Sequence, residues 1–157
     1  MTAREYLEQY REAQARADRL REKYDSLVEA YGDVGGMDYT SERRAGISKP
    51  TERKVERAVS ALEKWRRAQI HALEIRQNTY ALLEALPCHE ADIMVRRYVW
   101  LHTWEQIEQE TDYTHSAVFR IHKQALPLVQ DLIDNGVIEL IKTDPGAYMD
   151  KYVNTWH

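Results

Sequence analysis

The stretch RYVWLHTWEQIEQETDYTHSAVFRIHKQAL, Arg97 to Leu126, decides how the rest of the chain is read. Thr103 and Gln106 make a T-x-x-Q capping box, and Glu105 suits the positive end of a helix starting at Trp104. Thr114 stands as the cap of a second helix. Ile107 on the first helix, with Val118 and Ile121 on the second, supplies an inward apolar set that Trp104 closes. Two short helices with a shared core and the tight turn TDYT are the ingredients of a helix-turn-helix. Asp112 is the residue of that turn expected to adopt the left-handed conformation, which Asp tolerates better than most.

Working outward, the next segments read as helices too. A helix is predicted over about Glu90 to Leu101, carrying Ile93, Met94, Arg97, Tyr98 and Leu101. The helix beginning at His115 is predicted to run to about Ala125, with Val118, Ile121, Ala125, Leu128 and Leu132 as its stripe. Pro127 lacks the N–H that would bond the Lys123 carbonyl, so a kink or restart is expected there. Gly136 in DNGV is the expected left-handed cap. The tail holds Val137, Ile138, Leu140 and Ile141, then a turn at Asp144-Pro145-Gly146. Tyr148, Tyr152 and Trp156 follow on one helical face. Such apolar content predicts docking on this domain or on a partner.

Upstream, Tyr6, Tyr10, Ala13, Ala17, Leu20, Tyr24, Leu27 and Tyr31 alternate steps of four and three. That register predicts one long helix from about Ala3 to Tyr31, ended by Gly32. Residues 32–50 hold four of the six glycines and no periodicity, and read as a mobile loop. A second long helix is expected from near Thr51 to Leu86, broken by Pro87, with Val55, Val59, Leu62, Trp65, Gln69, Leu73, Tyr80 and Leu83 as its stripe. The two helices would pair within one chain or between chains. The expected organisation is all-α: a hairpin over 1–86, a helix-turn-helix domain over 87–135 and a tail over 136–157.

Composition narrows the function. The chain has 157 residues, scarce Gly and Pro, and one Cys, which cannot form an internal disulfide. No signal peptide and no membrane-spanning run is apparent, so a cytoplasmic protein is expected. The formal charge of −4 conceals a gradient. Arg43 to Arg76 holds ten Lys and Arg against four Asp and Glu, a net +6. Pro87 to Ile133 holds four against seven, a net −3. Cys88, His89, His115 and His122 lack zinc-ligand spacing, so no metal is expected. No nucleophile–base pair or phosphate loop can be placed, so neither an enzyme nor a cofactor is predicted.

The opening stretch resembles the fourth region of bacterial sigma factors at Thr103, Trp104, Ile107, Tyr113, Val118, Arg120, His122 and Ala125. With the long helices before it, the layout over about Met1 to Val129 is similar to phage and prophage regulators grouped as ArpU/RinA-like. The resemblance implies a transcription regulator that binds double-stranded DNA, with host RNA polymerase as a further partner. It implies DNA contacts from Thr114, His115, Ser116, Phe119, Arg120 and Lys123, and a packed His122. Glu108, Thr111 and Asp112 depart from the family pattern, which has small, apolar and Gly residues there.

Arg53, Lys54, Arg57, Lys64, Arg66 and Arg67 are candidate phosphate contacts. The plainer expectation is that they balance acids of the first helix, or pair locally as Glu63 and Arg67 would. Self-association through the long helices is expected. Two other functions fit: a DNA-packaging oligomer like a small terminase subunit, and a protein-interaction module that uses the acidic head without DNA.

Overall fold

The computed structural model describes residues 1–34 and 49–154, and these are helical without a strand. The order is α1 (Ala3–Val34), α2 (Lys49–Glu84), α3 (Cys88–Tyr98), α4 (Trp104–Glu110), α5 (His115–Asp134), α6 (Val137–Thr143) and α7 (Pro145–Tyr148), then a π-helical turn over Met149–Val153. Two compact units divide the chain: one joins residues 1–12 to 73–157, and the other is residues 13–72. The division predicted from sequence put all of 1–86 in one body. In the structure, residues 1–12 of α1 and 73–84 of α2 belong instead with α3 to α7.

In the larger unit α1 begins with a capping box: the Thr2 N–H donates to Glu5 (2.7 Å) and the Glu5 N–H donates to Thr2 Oγ1 (3.3 Å). Those bonds hold the Glu5 carboxyl below its ordinary pKa. The Ala3 N–H donates to Gln130 Oε1 at 2.8 Å, which ties the start of α1 to α5. The main core gathers Tyr6 and Leu7 of α1, Leu82, Leu83 and Leu86 at the end of α2, Met94, Val95 and Tyr98 of α3, and Ala125 and Val129 of α5. Val137, Ile141, Tyr148 and Val153 of the tail complete it. The Tyr148 hydroxyl donates to the Ala81 carbonyl, and its ring stacks on Tyr152 at 5.9 Å. Gly136, at φ 72°, makes the reversal into α6, as expected. Trp156 and residues 35–48 of the loop expected over 32–50 lie outside the described residues, while residues 32–34 and 49–50 belong to α1 and α2.

In the smaller unit α1 and α2 run antiparallel. Tyr24 stacks on Trp65 with ring centroids 6.0 Å apart, and the Arg21 guanidinium lies 5.6 Å from the Trp65 ring. Of its described residues only Ala17, Ala61 and Ala72 are buried.

Several expectations need correction. Helix α1 continues through Gly32 to Val34. Helix α3 starts at Cys88 and ends at Tyr98, before Leu101. Helix α5 is continuous through Pro127 to Asp134. One missing N–H in a helix anchored on both sides, by Ala125 and Val129 in the core, is a local loss that does not end the helix. The stripe steps to Val129, leaving Leu128 exposed. On α2, Val55, Val59, Leu73 and Tyr80 are exposed, and the covered face runs instead through Ala61, Ala72, Thr79 and Leu82. The most apolar stripe of α2 is thus not its packed one.

Asp112 is not left-handed; Leu101, at φ 58°, is the non-Gly residue with positive φ among those described. The chain turns there because the Trp100 N–H donates to the Val95 carbonyl (3.0 Å) and the His102 N–H to the Arg96 carbonyl (2.9 Å). Arg97 Nη1 then donates to the His102 carbonyl at 3.0 Å. Together these bonds fold the end of α3 back on itself and drive Leu101 into the left-handed region.

Candidate nucleic-acid interface

Helix α4 is fixed at its start by the complete capping box: Thr103 Oγ1 accepts from the Gln106 N–H (3.2 Å) and Gln106 Oε1 from the Thr103 N–H (2.8 Å). At its other end the Thr111 hydroxyl donates to the Ile107 carbonyl at 2.6 Å, so a polar residue at this turn is satisfied without a core position. Thr114 caps α5 by accepting from the Ala117 N–H at 3.3 Å. Ile93, Ile107, Val118 and Ile121 bury together, flanked by Trp104 and Tyr113, and lock α4 and α5 onto α3.

That packing orients α5. With Val118, Ile121 and His122 turned inward, Thr114, His115, Ser116, Phe119, Arg120 and Lys123 are exposed. All six residues expected from sequence to contact DNA are therefore accessible, and His122 is the packed histidine the resemblance implies. The tail's buried residues lie in the main core, away from the small core of Ile107 and Val118.

The polar chemistry of this face is uneven. His115 Nδ1 bonds Glu108 Oε1, and its ring lies 4.7 Å from that of Phe119. Glu108 thus turns to the edge of the motif and finds a partner, which removes the cost of burying it alone. Phe119 also packs 4.9 Å from Trp104, over which the Arg97 guanidinium sits at 4.5 Å. Burial, and then the nearby Arg11, lower the pKa of Arg97. Arg120 and Lys123 make no ion pair among the described residues, so both present free donors. Thr114 spends an acceptor on its cap and keeps its hydroxyl proton.

His122 accepts or donates a 2.8 Å bond with the Tyr98 hydroxyl and meets Trp104 edge-on at 5.0 Å. Burial, helped by Arg4 and Arg97, lowers its pKa to about 4, so it is neutral at pH 7. His89 bonds the Tyr113 hydroxyl. The residues considered for a metal are not brought together: His89, His115 and His122 each take a different partner, and no acid, Cys or His cluster of metal-binding size occurs among the described residues.

On α2, Arg53, Lys54, Arg57, Lys64, Arg66 and Arg67 are all exposed. None takes part in an ion pair among the described residues, Glu63 with Arg67 included. No acid of α1 forms an ion pair with them among the described residues; Asp25 pairs with Arg21 of its own helix at 3.8 Å. Any balancing of these cations by the acids of the hairpin is therefore not through direct ion pairs among the described residues. Sequence reading also missed Lys23 of α1, which lines a cleft with Arg57 and Lys64. Only an explicit antiparallel register between the helices would have found it.

No family model, no curated protein and no solved structure matches this chain.

Proposed function

We propose that the protein is a sequence-specific double-stranded DNA-binding regulator of the phage type, which reads its site with α5. The observation that carries this reading is the outward set on α5: unpaired Arg120 and Lys123 beside Ser116 and Phe119, on a helix held by a core shared with α4. An α-helix fits the major groove, and the Arg fork matches the O6 and N7 acceptors of guanine. Phe119 offers an apolar contact to a thymine methyl. Contact with RNA polymerase remains part of the proposal as a second partner, on the strength of the sigma-like motif.

The test selects a binding site from random duplexes with the full chain, then compares Arg120→Ala on that site and on random DNA. A loss of about 1–3 kcal/mol on the selected site with little change on random DNA is expected. Equal losses on both would remove Arg120 as a base reader. One observation favours a second reading: His115, at the start of α5, is engaged by Glu108, and the segment from Pro87 to Ile133 carries a net −3, which suits a surface for a basic protein partner. Failure of the selection to yield any preferred site would favour it.

A further inference from the structure

We infer that one face of the antiparallel hairpin in residues 13–72 is a separate, sequence-independent surface for the DNA phosphate backbone, built by Arg53, Arg57, Lys64 and Arg67 of α2 with Lys23 of α1. On an α-helix, positions 53, 57, 64 and 67 fall within about 80° of one another, since each residue advances about 100°. Over Arg53 to Arg67 the stripe is about 21 Å long, enough to pass several phosphates of a duplex that carries one charge per about 1.7 Å of axis.

Lys23 extends this face across the hairpin. It lines one cleft of ≈ 440 Å³ with Arg57, Ser60 and Lys64, where Glu56 is the single acid. Ser60 adds a hydroxyl donor between the cations. Arg66 lies on the opposite side of α2, near the exposed Val55 and Val59, and Lys54 also falls off the stripe. The sequence group of six cations thus divides into four that share a face and two that do not.

What the face lacks is equally informative. Like charges at i, i+4 weaken a helix by a few tenths of a kcal/mol, and among the described residues no acid of either helix forms an ion pair with these cations. A polyanion relieves that repulsion and gains from released counterions. Direct ion pairing inside the protein was the rival explanation, and no such pair occupies these cations among the described residues. The protein as a whole carries −4, so affinity for a polyanion needs such local segregation of charge.

This inference rests on duplex DNA being the ligand, but not on α5 reading its sequence. The experiment is fluorescence anisotropy of the full chain on a random-sequence duplex over a salt series. Arg57→Gln, Lys64→Gln and Arg67→Gln together should weaken binding by about tenfold or more near 0.1 M salt and reduce the magnitude of the log–log salt slope by about 2 to 3. Gln keeps the helix propensity, and circular dichroism confirms folding. Arg66→Gln, on the other side of the same helix, should change affinity less than about twofold and shift the slope by less than one. An unchanged slope in the triple variant, an equal effect per charge from Arg66→Gln, or no binding of random DNA by the wild type at low salt would each overturn the inference. Arg120→Ala in the same assay separates the two claims: if base reading is wrong but this face is right, only the triple variant loses random-DNA binding.

Discussion

The two units of this protein solve opposite problems. The larger one converges on full burial: Leu7, Leu82, Leu83, Ile93, Met94, Ile107, Val118, Val129 and Val137 are completely covered. Burying a side chain of this size contributes about 1.5–3 kcal/mol each. Among its described residues the hairpin buries three alanines and leaves Val28, Val55, Val59 and Ile70 exposed. Apart from these alanines its described contact side chains are only partly covered, so packing contributes less per residue here than in the larger unit. Stability and surface are thus divided between them. One unit holds the candidate reading helix rigid, and the other spreads charge and apolar area along two rods.

Core truncation gives the largest expected effect. Leu83→Ala, in the larger unit, should destabilise by about 2–5 kcal/mol. Val59→Ala, in the hairpin, should stay within about 0.5 kcal/mol of wild type, because an exposed Val is replaced by a better helix former. Urea unfolding of both variants checks this. A Val59→Ala loss approaching that of Leu83→Ala would break the comparison, since it would mean that the hairpin face is covered in solution. Sedimentation of the same variants would then show whether the cover is a second copy.

His122 gives the larger unit a pH dependence of its own. Its pKa is about 4 folded against about 6.5 unfolded. Below pH 6.5 the unfolded chain takes up a proton that the folded protein refuses until about pH 4. The contribution is therefore complete above pH 6.5 and lost as pH falls toward 4, about 3 kcal/mol in all. His122→Gln, which can still bond Tyr98, should flatten the difference between melts at pH 7 and pH 4.5. An equally steep fall in the variant would assign the pH dependence to carboxylates elsewhere.

Much of this division is legible in the sequence where chemistry is local. The Thr103–Gln106 box, the inward Ile107, Val118 and Ile121, the left-handed Gly136 and the outward Arg120 all follow from spacing within one or two turns. What was not legible depends on who the neighbours are. Leu7 lies outside the Tyr and Ala register, yet it is fully buried in the main core, to which the tail and the end of α2 also contribute. Val55 and Tyr80 fit an apolar stripe, yet α1 meets the alanine flank of α2 instead. Pro127 reads as a break, yet the core on both sides carries the helix through. Asp112 reads as the strained turn residue, yet the strain falls on Leu101, where hydrogen bonds from three different residues meet.

A smaller effect tests the caps of the candidate reading head. Thr103→Ala removes the hydroxyl half of a reciprocal box, leaving the bond from its own N–H to Gln106 unreciprocated, and should cost about 1 kcal/mol. Thr114→Ala removes one 3.3 Å bond and should cost less, nearer 0.5 kcal/mol. Thermal melts rank the two. The reverse order would mean that Thr114, not the box, sets the α4–α5 geometry, and its loss would then be expected to reach DNA binding as well.

The smallest expected change is a gain. Leu101 is a non-Gly residue held at φ 58°, a conformation in which Cβ crowds the backbone and which costs roughly 1–2 kcal/mol for most residues. Asn tolerates it better because its short polar side chain bonds locally. Leu101→Asn should relieve part of that strain, while the half-buried Leu side chain gives up some apolar contact. The net expectation is a stabilisation of a few tenths of a kcal/mol. Asp112→Asn, at the turn residue that is not left-handed, should show no such gain. Paired urea titrations resolve the difference. A clear loss at Leu101→Asn would mean that the side chain's packing outweighs its backbone strain. The turn between α3 and α4 would then be held by burial, like the rest of its unit, and not by the converging bonds to Val95, Arg96 and Arg97.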